Sequence, residues 1–533
     1  MISDQNATDI GAMTTLAEIA RRHALARPDS IAFSFEGRET TFALFHQRSS
    51  QVANALIAAA VTPGQRVAYL GKNCDRYFEI LFGAAKAGAV TTPIGWRLAP
   101  DEAAAILEDC EARVVFVGPD ASSQAEVALD SLSGRPRVIA IDGASVNDAT
   151  PFDAWREAAR PEDPPVEIHP DDVVLQVYTS GTTGRPKGAM LTHANLLTKH
   201  RDAANARMDW YRWTPDDVSL VAMPVAHVGG SLWGIAGLLH GARGVIAREF
   251  DPLAVLDFIE RDRVSKMFMV PAALQIVVRQ PRSREVDFGR LRYILYGASP
   301  IPVDLLRECM EVFGCGFCQQ YGMTETSGAI AYLPPRDHDP DGNVRMRAAG
   351  LPMPGVEIKI VDAQGATLPP HTVGEIVTRS SSNMAGYWRM PEATAATLGA
   401  HGWLRTGDAG YLDEDGYLYI HDRVKDMIIS GAENIYPAEV ENAIYGHPSV
   451  AEVAVIGVPD PKWGEAVKAV VVLKPGASAD ASDILGFARS RIAAFKIPKS
   501  VDFADALPRN ASGKVLRRQL QEPYWAGRER KVN

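Results

Sequence analysis

The feature that most constrains this chain is an apolar strand running straight into a long loop of glycines, hydroxyls and cations. Val173-Val-Leu-Gln-Val177 is followed at once by Tyr178-Thr-Ser-Gly-Thr-Thr-Gly-Arg-Pro-Lys-Gly188. Glycines let backbone N–H groups close around an anion, the hydroxyls of Thr179, Ser180, Thr182 and Thr183 add donors, and Lys187 adds a point charge. The loop is built for a polyphosphate. It departs from the Walker A pattern, which needs Gly-Lys-Ser/Thr, because Pro186 precedes Lys187 and Gly188 follows it. A simple P-loop NTPase is therefore disfavoured.

A strand of this kind needs a sheet around it, and the flanking sequence supplies one. Arg66–Leu70 reads as a buried strand, Tyr77–Lys86 as an apolar helix, Ala89–Pro93 as the next strand, Pro100–Cys110 as a helix and Arg113–Val117 as a third strand. This βαβ alternation predicts a parallel sheet covered by helices, and similar alternation runs from Val173 to about Tyr296. Val218–Leu239 lacks Asp, Glu, Lys and Arg over a length that could span a bilayer. Pro224, His227 and four glycines interrupt it, so it reads as a buried strand, turn and helix. From Gly355 the pattern changes to short β segments, Val356–Val361 and Gly374–Thr378, which predict a small β subdomain. Beyond Arg423 a compact α+β unit is expected, with helices near Ala438–Tyr445 and Asp483–Ala494 and strands at Val453–Val458 and Val467–Leu473.

The chain's 533 residues suffice for two or three domains. With 55 Lys and Arg against 65 Asp and Glu, the net charge of −10 repels polyanions, so no nucleic-acid partner is expected and an anionic ligand must meet local cations. The five cysteines, an odd number in a long chain, point to a reducing cytoplasm; Cys315 and Cys318 form a CxxC without a second pair or a His cluster, and packing is its expected role. The N-terminal residues lack the layout of a secretory signal.

The Tyr178–Gly188 loop resembles the signature of the AMP-forming adenylate synthetase superfamily, which includes acyl-CoA synthetases, peptide-synthetase adenylation domains and firefly luciferase. Four further segments stand in that family's order: Gln320-Tyr-Gly-Met-Thr-Glu325, Trp403-Leu-Arg-Thr-Gly-Asp408, Asp422-Arg-Val-Lys-Asp426 with Ser430-Gly-Ala-Glu-Asn434, and Pro508-Arg-Asn-Ala-Ser-Gly-Lys514. The matches span nearly the whole chain, and similarity is greatest to medium- and long-chain fatty acyl-CoA ligases. The resemblance implies an α/β fold with a large N-terminal adenylation domain, residues 1–422, and a small mobile α+β C-terminal domain, residues 423–533, hinged at Lys425.

It also implies the chemistry: MgATP activates a carboxylic acid to acyl-AMP, and the acyl group then passes to CoA. The implied nucleotide site comprises Thr179, Ser180, Gly181, Thr182, Thr183, Gly184, Lys187, Gly297, Ala298, Gln320, Tyr321, Gly322, Thr324, Asp408, Arg423 and Lys514. Tyr321 offers a face for adenine, Asp408 accepts the ribose hydroxyls and Arg423 reaches the same ribose. Mg²⁺ is expected at Glu325 and the Thr179 hydroxyl, since both are hard oxygen ligands. Lys514 is the implied catalytic cation, with His227 and Thr324 beside it; attack of one anion on another needs positive charge where negative charge builds up. His227, Val228, Gly229, Trp233 and Gly297 should line the acyl pocket, and Ser430, Gly431, Ala432 and Glu433 the CoA channel. Asp422 departs from the family, which often has Gly there. No charged residue lies in Met223–Trp233, so a hydrophobic acid is expected, with aryl and sterol-side-chain acids as alternatives to a fatty acid and a carrier-protein thiol as an alternative acceptor. Peripheral membrane contact and a homodimer are compatible with these motifs.

Overall fold

The structure, a computed structural model, describes residues 13–179, 186–423, 426–430, 433–489, 491–509 and 515–526. Two large sheets carry the N-terminal part. The first has eight strands in the order Gly386–Tyr387, Lys187–Thr192, Val173–Thr179, Val90–Ile94, Arg66–Leu70, Val114–Val117, Arg137–Ala140 and Thr150–Pro151. The six from Val173–Thr179 onward run parallel, as the βαβ alternation predicts, while Lys187–Thr192 folds back antiparallel on Val173–Thr179. Strand Arg66–Leu70 is buried along its whole length and helix Asp75–Lys86 on every side, which explains the near-continuous apolar runs.

The second sheet has nine strands: Leu351–Pro352, Gly328–Leu333, Gly316–Met323, Tyr293–Gly297, Lys266–Met269, Val218–Val221, Arg243–Ile246, Ile31–Phe35 and Arg38–Thr41. Its six central strands are parallel. The 218–239 segment divides as expected into strand Val218–Val221 and the buried helix Val228–Leu239. The largest core cluster joins both sheets through helices, with Phe33 stacked on Phe78 at 4.8 Å and Phe45 packed edge-on against Phe82 at 5.0 Å.

A four-stranded antiparallel sheet, Glu357–Val361, Gly374–Arg379, Trp403–Leu412 and Leu418–Arg423, forms the expected β subdomain. The last sheet pairs the long strands Val450–Asp460 and Gly464–Leu473, adds Ile428–Ser430 and Glu433–Ile435 on one side and lays Ser500–Phe503 parallel to Gly464–Leu473. Helices Pro437–Tyr445 and Ala481–Arg489 cover it. The second helix ends before the predicted Ala494, where a short 3₁₀ turn at Ala494–Lys496 follows. Among the described residues no helix is long and apolar enough to cross a membrane.

Candidate active site

The strands of both parallel sheets end around one cavity of about 710 Å³. Thr179, Ala298 and Thr324 stand at or just past the ends of Val173–Thr179, Tyr293–Gly297 and Gly316–Met323, and Met223 and Val270 follow Val218–Val221 and Lys266–Met269. Ligands of open α/β sheets bind beyond the carboxyl ends of strands, where loops and backbone N–H groups converge. The fold itself thus creates the site.

Of the sequence-predicted residues, Thr179, Lys187, Ala298, Gln320, Gly322, Thr324, Glu325, His227, Val228, Gly229 and Trp233 line this cavity. Gly297, Tyr321 and Asp408 are the chain neighbours of Ala298, Gly322 and Gly407, which line it. Ser180, Gly181, Thr182, Thr183, Gly184, Lys425, Gly431, Ala432 and Lys514 lie outside the described residues. The residues that flank the phosphate loop are placed: Thr179 pairs across the two strands with Lys187, and both line the cavity.

Around that strand pair three chain segments meet. Lys187 Nζ lies 5.0 Å from the Tyr387 ring, and the Tyr387 hydroxyl donates to Glu325 Oε1 at 2.7 Å. Glu325 is buried on a 3₁₀ turn, Thr324–Thr326, closed by Thr326 Oγ1 accepting from Met323 N at 3.0 Å. A buried carboxylate with one oxygen held by a phenol keeps lone pairs for a hard cation, and Mg²⁺ commonly takes one or two carboxylates plus substrate phosphates. Glu325 fits that ion. The wall holds no cluster of three His, Cys, Asp or Glu among the described residues, so phosphate and hydroxyl oxygens would have to complete its shell.

The second group is Tyr321 and Asp408. The Tyr321 hydroxyl donates to Asp408 Oδ2 at 2.7 Å, and Asp408 stands opposite Arg423 in the strand pair. Three residues from separate motifs converge there, with Gly407 at φ 72° at an irregularity within strand Trp403–Leu412 just before Asp408. Close backbone approach is required here: a Cβ on Gly322 would sit 1.9 Å from the Gly328 carbonyl oxygen.

Another part of the wall carries five aromatic side chains: Trp210, Tyr211, Trp213, Trp233 and Phe268. Trp233 is fixed by donating Nε1–H to the Leu220 carbonyl at 3.0 Å and packs against Trp213 at 5.1 Å. Gln320 Nε2 donates to the Tyr211 hydroxyl at 2.8 Å. His227 precedes helix Val228–Leu239; burial lowers its pKa, and its Nε2 has no partner among the described residues. A neutral imidazole there can donate or accept toward a ligand. Sequence reasoning missed Lys199 and His200 in this wall. They belong to helix His193–Asn205, which starts at a reciprocal cap: Asn195 N donates to Thr192 Oγ1 at 3.1 Å and Thr192 N to Asn195 Oδ1 at 2.9 Å. Only the cap was legible, since a Lys-His pair on a helix ordinarily faces solvent.

The C-terminal unit adjoins the same region. Gln275 Nε2 donates to the Tyr445 hydroxyl at 2.6 Å and to the Ala451 carbonyl at 3.1 Å. Arg509 and Val515 bridge to each other, bracketing residues 510–514, and share a small cleft with Ser299 and Pro300, next to Ala298. Ser430 and Glu433 pair across a hairpin, with Ser430 also opposite Gly464.

Residues 20–388 match the family described as AMP-binding enzyme, and residues 439–514 its C-terminal domain. The chain belongs to the AMP-binding enzyme family. It is 41% identical over 522 residues, 98% of each chain, to the fatty acid–[acyl-carrier-protein] ligase ScoC of Streptomyces coeruleorubidus. It is 40% identical to a feruloyl-CoA synthase of an Amycolatopsis species, over 94% of this chain and 98% of that protein. The crystal structure of ATP-bound MatB from Rhodopseudomonas palustris superposes with a TM-score of 0.86 at 31% identity, covering 96% of this chain and 99% of MatB. The protein is an AMP-forming acid–thiol ligase of the acyl-CoA synthetase type, ATP-dependent, with the α/β architecture of that family.

Proposed function

We propose that the protein activates a hydrophobic carboxylic acid with MgATP and delivers the acyl group to CoA. The observation that carries this reading is one cavity whose wall joins the Lys187, Thr324 and Glu325 group to the aromatic Trp210, Trp213, Trp233 and Phe268 surface. A polyphosphate and an apolar acid can thereby meet in one space.

In the first half-reaction a carboxylate oxygen attacks the α-phosphorus, and pyrophosphate leaves with the bond electrons. Thr179, the loop through Gly184 and Lys187 hold the phosphates, Tyr321 and Asp408 the adenosine, with Arg423 at the ribose. Glu325 and Thr179 would hold Mg²⁺, which would neutralise phosphate charge. Lys514 acts as the cation between the two anions; the 510–514 segment's bracketing by Arg509 and Val515 beside Ser299 supports this position. In the second half-reaction the CoA thiol sulfur attacks the acyl carbon, AMP leaves, and the thiol proton goes to solvent. Residues 423–533 rotate about Lys425 between the two steps, bringing Ser430 to Glu433 to the thiol's path. The five free cysteines support action in a reducing cytoplasm.

The sequence favours a medium- or long-chain fatty acid, whereas the aromatic wall favours an aryl or short acyl group, in keeping with the feruloyl-CoA synthase relative. The carrier-protein ligase relative supports a second reading, with a carrier-bound thiol as acceptor. Pyrophosphate release with fatty, aryl and sterol-derived acids, with and without CoA, tests both. CoA-dependent turnover with acyl-CoA as product is expected. Acyl-AMP that forms but is discharged only by a carrier protein would replace CoA as acceptor, and no release with any acid would refute the ligase reading.

A further inference from the structure

Four lysines are buried among the described residues: Lys86, Lys199, Lys266 and Lys468. Three have an aspartate. Lys86 meets Asp163 at 2.9 Å, Lys468 meets Asp502 at 2.6 Å, and Lys266 has Asp217 at 4.0 Å. Lys199, 6% exposed, forms no ion pair with any described carboxylate. It is the one of the four that lines the large cavity.

Its amine is held rather than loose. Lys199 Nζ donates to the Ser327 carbonyl, which is turned toward it by two successive left-handed residues, Ser327 at φ 51° and Gly328 at φ 93°. Left-handed backbone at a non-glycine residue is strained and tends to be kept where function uses it. A Cβ on Gly328 would come within 2.9 Å of Lys199 Nζ and 3.8 Å of Leu232 Cδ1, so the amine stands beside the apolar wall. Burial without a counter-charge pushes its pKa down to about 8. An ammonium has three N–H donors, and one described acceptor serves them. Two neighbours on the same wall are also short of partners: His200 Nδ1 and Trp210 Nε1 have none among the described residues.

We propose that the acid this enzyme selects carries a second oxygen acceptor, a carboxylate or a hydroxyl, away from the reacting carboxylate, and that Lys199 is the residue that recognises it. The proposal rests on the acid-binding reading of the cavity given above. A distal carboxylate supplies the counter-charge that the other buried lysines obtain from aspartate; a distal hydroxyl accepts one of the idle N–H donors. A plain alkyl chain or unsubstituted ring leaves the amine desolvated and unpaired, which penalises it relative to a substituted acid. Lys199 thus adds a polar requirement beside Leu232 and the aromatic part of the wall.

The test compares matched acids by kcat/KM for pyrophosphate release: hexanoate with hexanedioate and its ω-hydroxy derivative, and phenylpropanoate with its para-carboxy and para-hydroxy derivatives. At least one substituted acid should exceed its parent by about 10- to 100-fold, as expected for a charge-assisted hydrogen bond. K199M should bring that ratio close to one. The carboxylate and hydroxyl arms separate an anionic group from a neutral one. Parents that equal or exceed every substituted partner overturn the proposal while leaving the ligase reading intact, and so does a K199M variant that lowers both members of a pair by the same factor. Silence with every acid overturns both. Should K199M fail to fold, the wild-type ranking decides by itself.

Discussion

Gly322→Ala is the perturbation whose consequence the structure works out most directly. The added methyl would lie 1.9 Å from the Gly328 carbonyl oxygen, 2.6 Å from its carbon and 2.9 Å from Ala329 Cα, all backbone atoms of the paired strand. Ordinary contact begins at 3.4 Å, so the two strands must separate locally by about 1.5 Å, the difference between 3.4 and 1.9 Å. No flexible side chain can absorb that shift. Overpacking of this kind costs about 1–3 kcal/mol. The displaced segment carries Tyr321 on one side and Thr324 and Glu325 on the other, and its partner carries the turn that holds Lys199. A misplacement of about 1 Å in a catalytic constellation can lower turnover about 100-fold. Differential scanning fluorimetry and pyrophosphate release at saturating acid provide the assay. The expected result is an apparent midpoint lowered by about 2–6 °C and kcat/KM for ATP reduced by about 100-fold. Gly486→Ala is the control: it lies inside helix Ala481–Arg489 with nothing within 4 Å of its Cβ, and should be neutral or stabilising by up to about 1 kcal/mol. If Gly322→Ala left both stability and kcat/KM within twofold of wild type, the close-approach argument would fail.

Lys514→Ala should abolish adenylation by several orders of magnitude while thioester formation from presynthesised acyl-AMP survives; equal loss of both steps in single-turnover assays would sink the alternating-domain proposal. Asp408→Ala removes the carboxylate that holds Tyr321 at 2.7 Å and should weaken ATP by about 10-fold or more, and unchanged affinity by calorimetry would count against its ribose role. The fold should also lose stability on acidification through His193. Its Nδ1 accepts the Leu16 N–H at 3.0 Å, and burial lowers its pKa from 6.5 to about 4. Between those values the unfolded chain binds the proton and the folded chain does not, so this contribution is complete above pH 6.5 and declines toward pH 4. From pH 6.5 to 5 the loss is about 2 kcal/mol, at about 1.4 kcal/mol per unit. His193→Asn keeps an acceptor without the titration, and urea unfolding of that variant should show a correspondingly flatter pH dependence.

Local pattern carried much of the architecture. The strands at residues 66–70 and 173–177 were legible because a strand buried on both faces is nearly continuous in apolar residues, with the buried Arg66 and Gln176 hydrogen-bonded to each other, and the 218–239 segment because prolines and glycines divide its apolar run. The nucleotide motifs were readable for a related reason: a loop that surrounds phosphate, or a turn that presents one carboxylate, is a short stretch whose residue types are set by its own backbone. Other parts were hidden. Nothing in Ile31–Phe35 says that it joins the second sheet beside Arg243–Ile246, since pairing partners about two hundred residues apart leave no local mark.

What the sequence by itself determined, then, is the family, the parallel α/β core and the phosphate-handling residues, because each is encoded in contiguous chain. What only the tertiary structure decided is the meeting of Lys187, Tyr387 and Glu325, the Tyr321 to Asp408 contact, and above all the burial of Lys199 in the cavity wall without an aspartate. A lysine on a helix is expected in water until the packing of distant segments removes the water and leaves its charge to be answered from elsewhere.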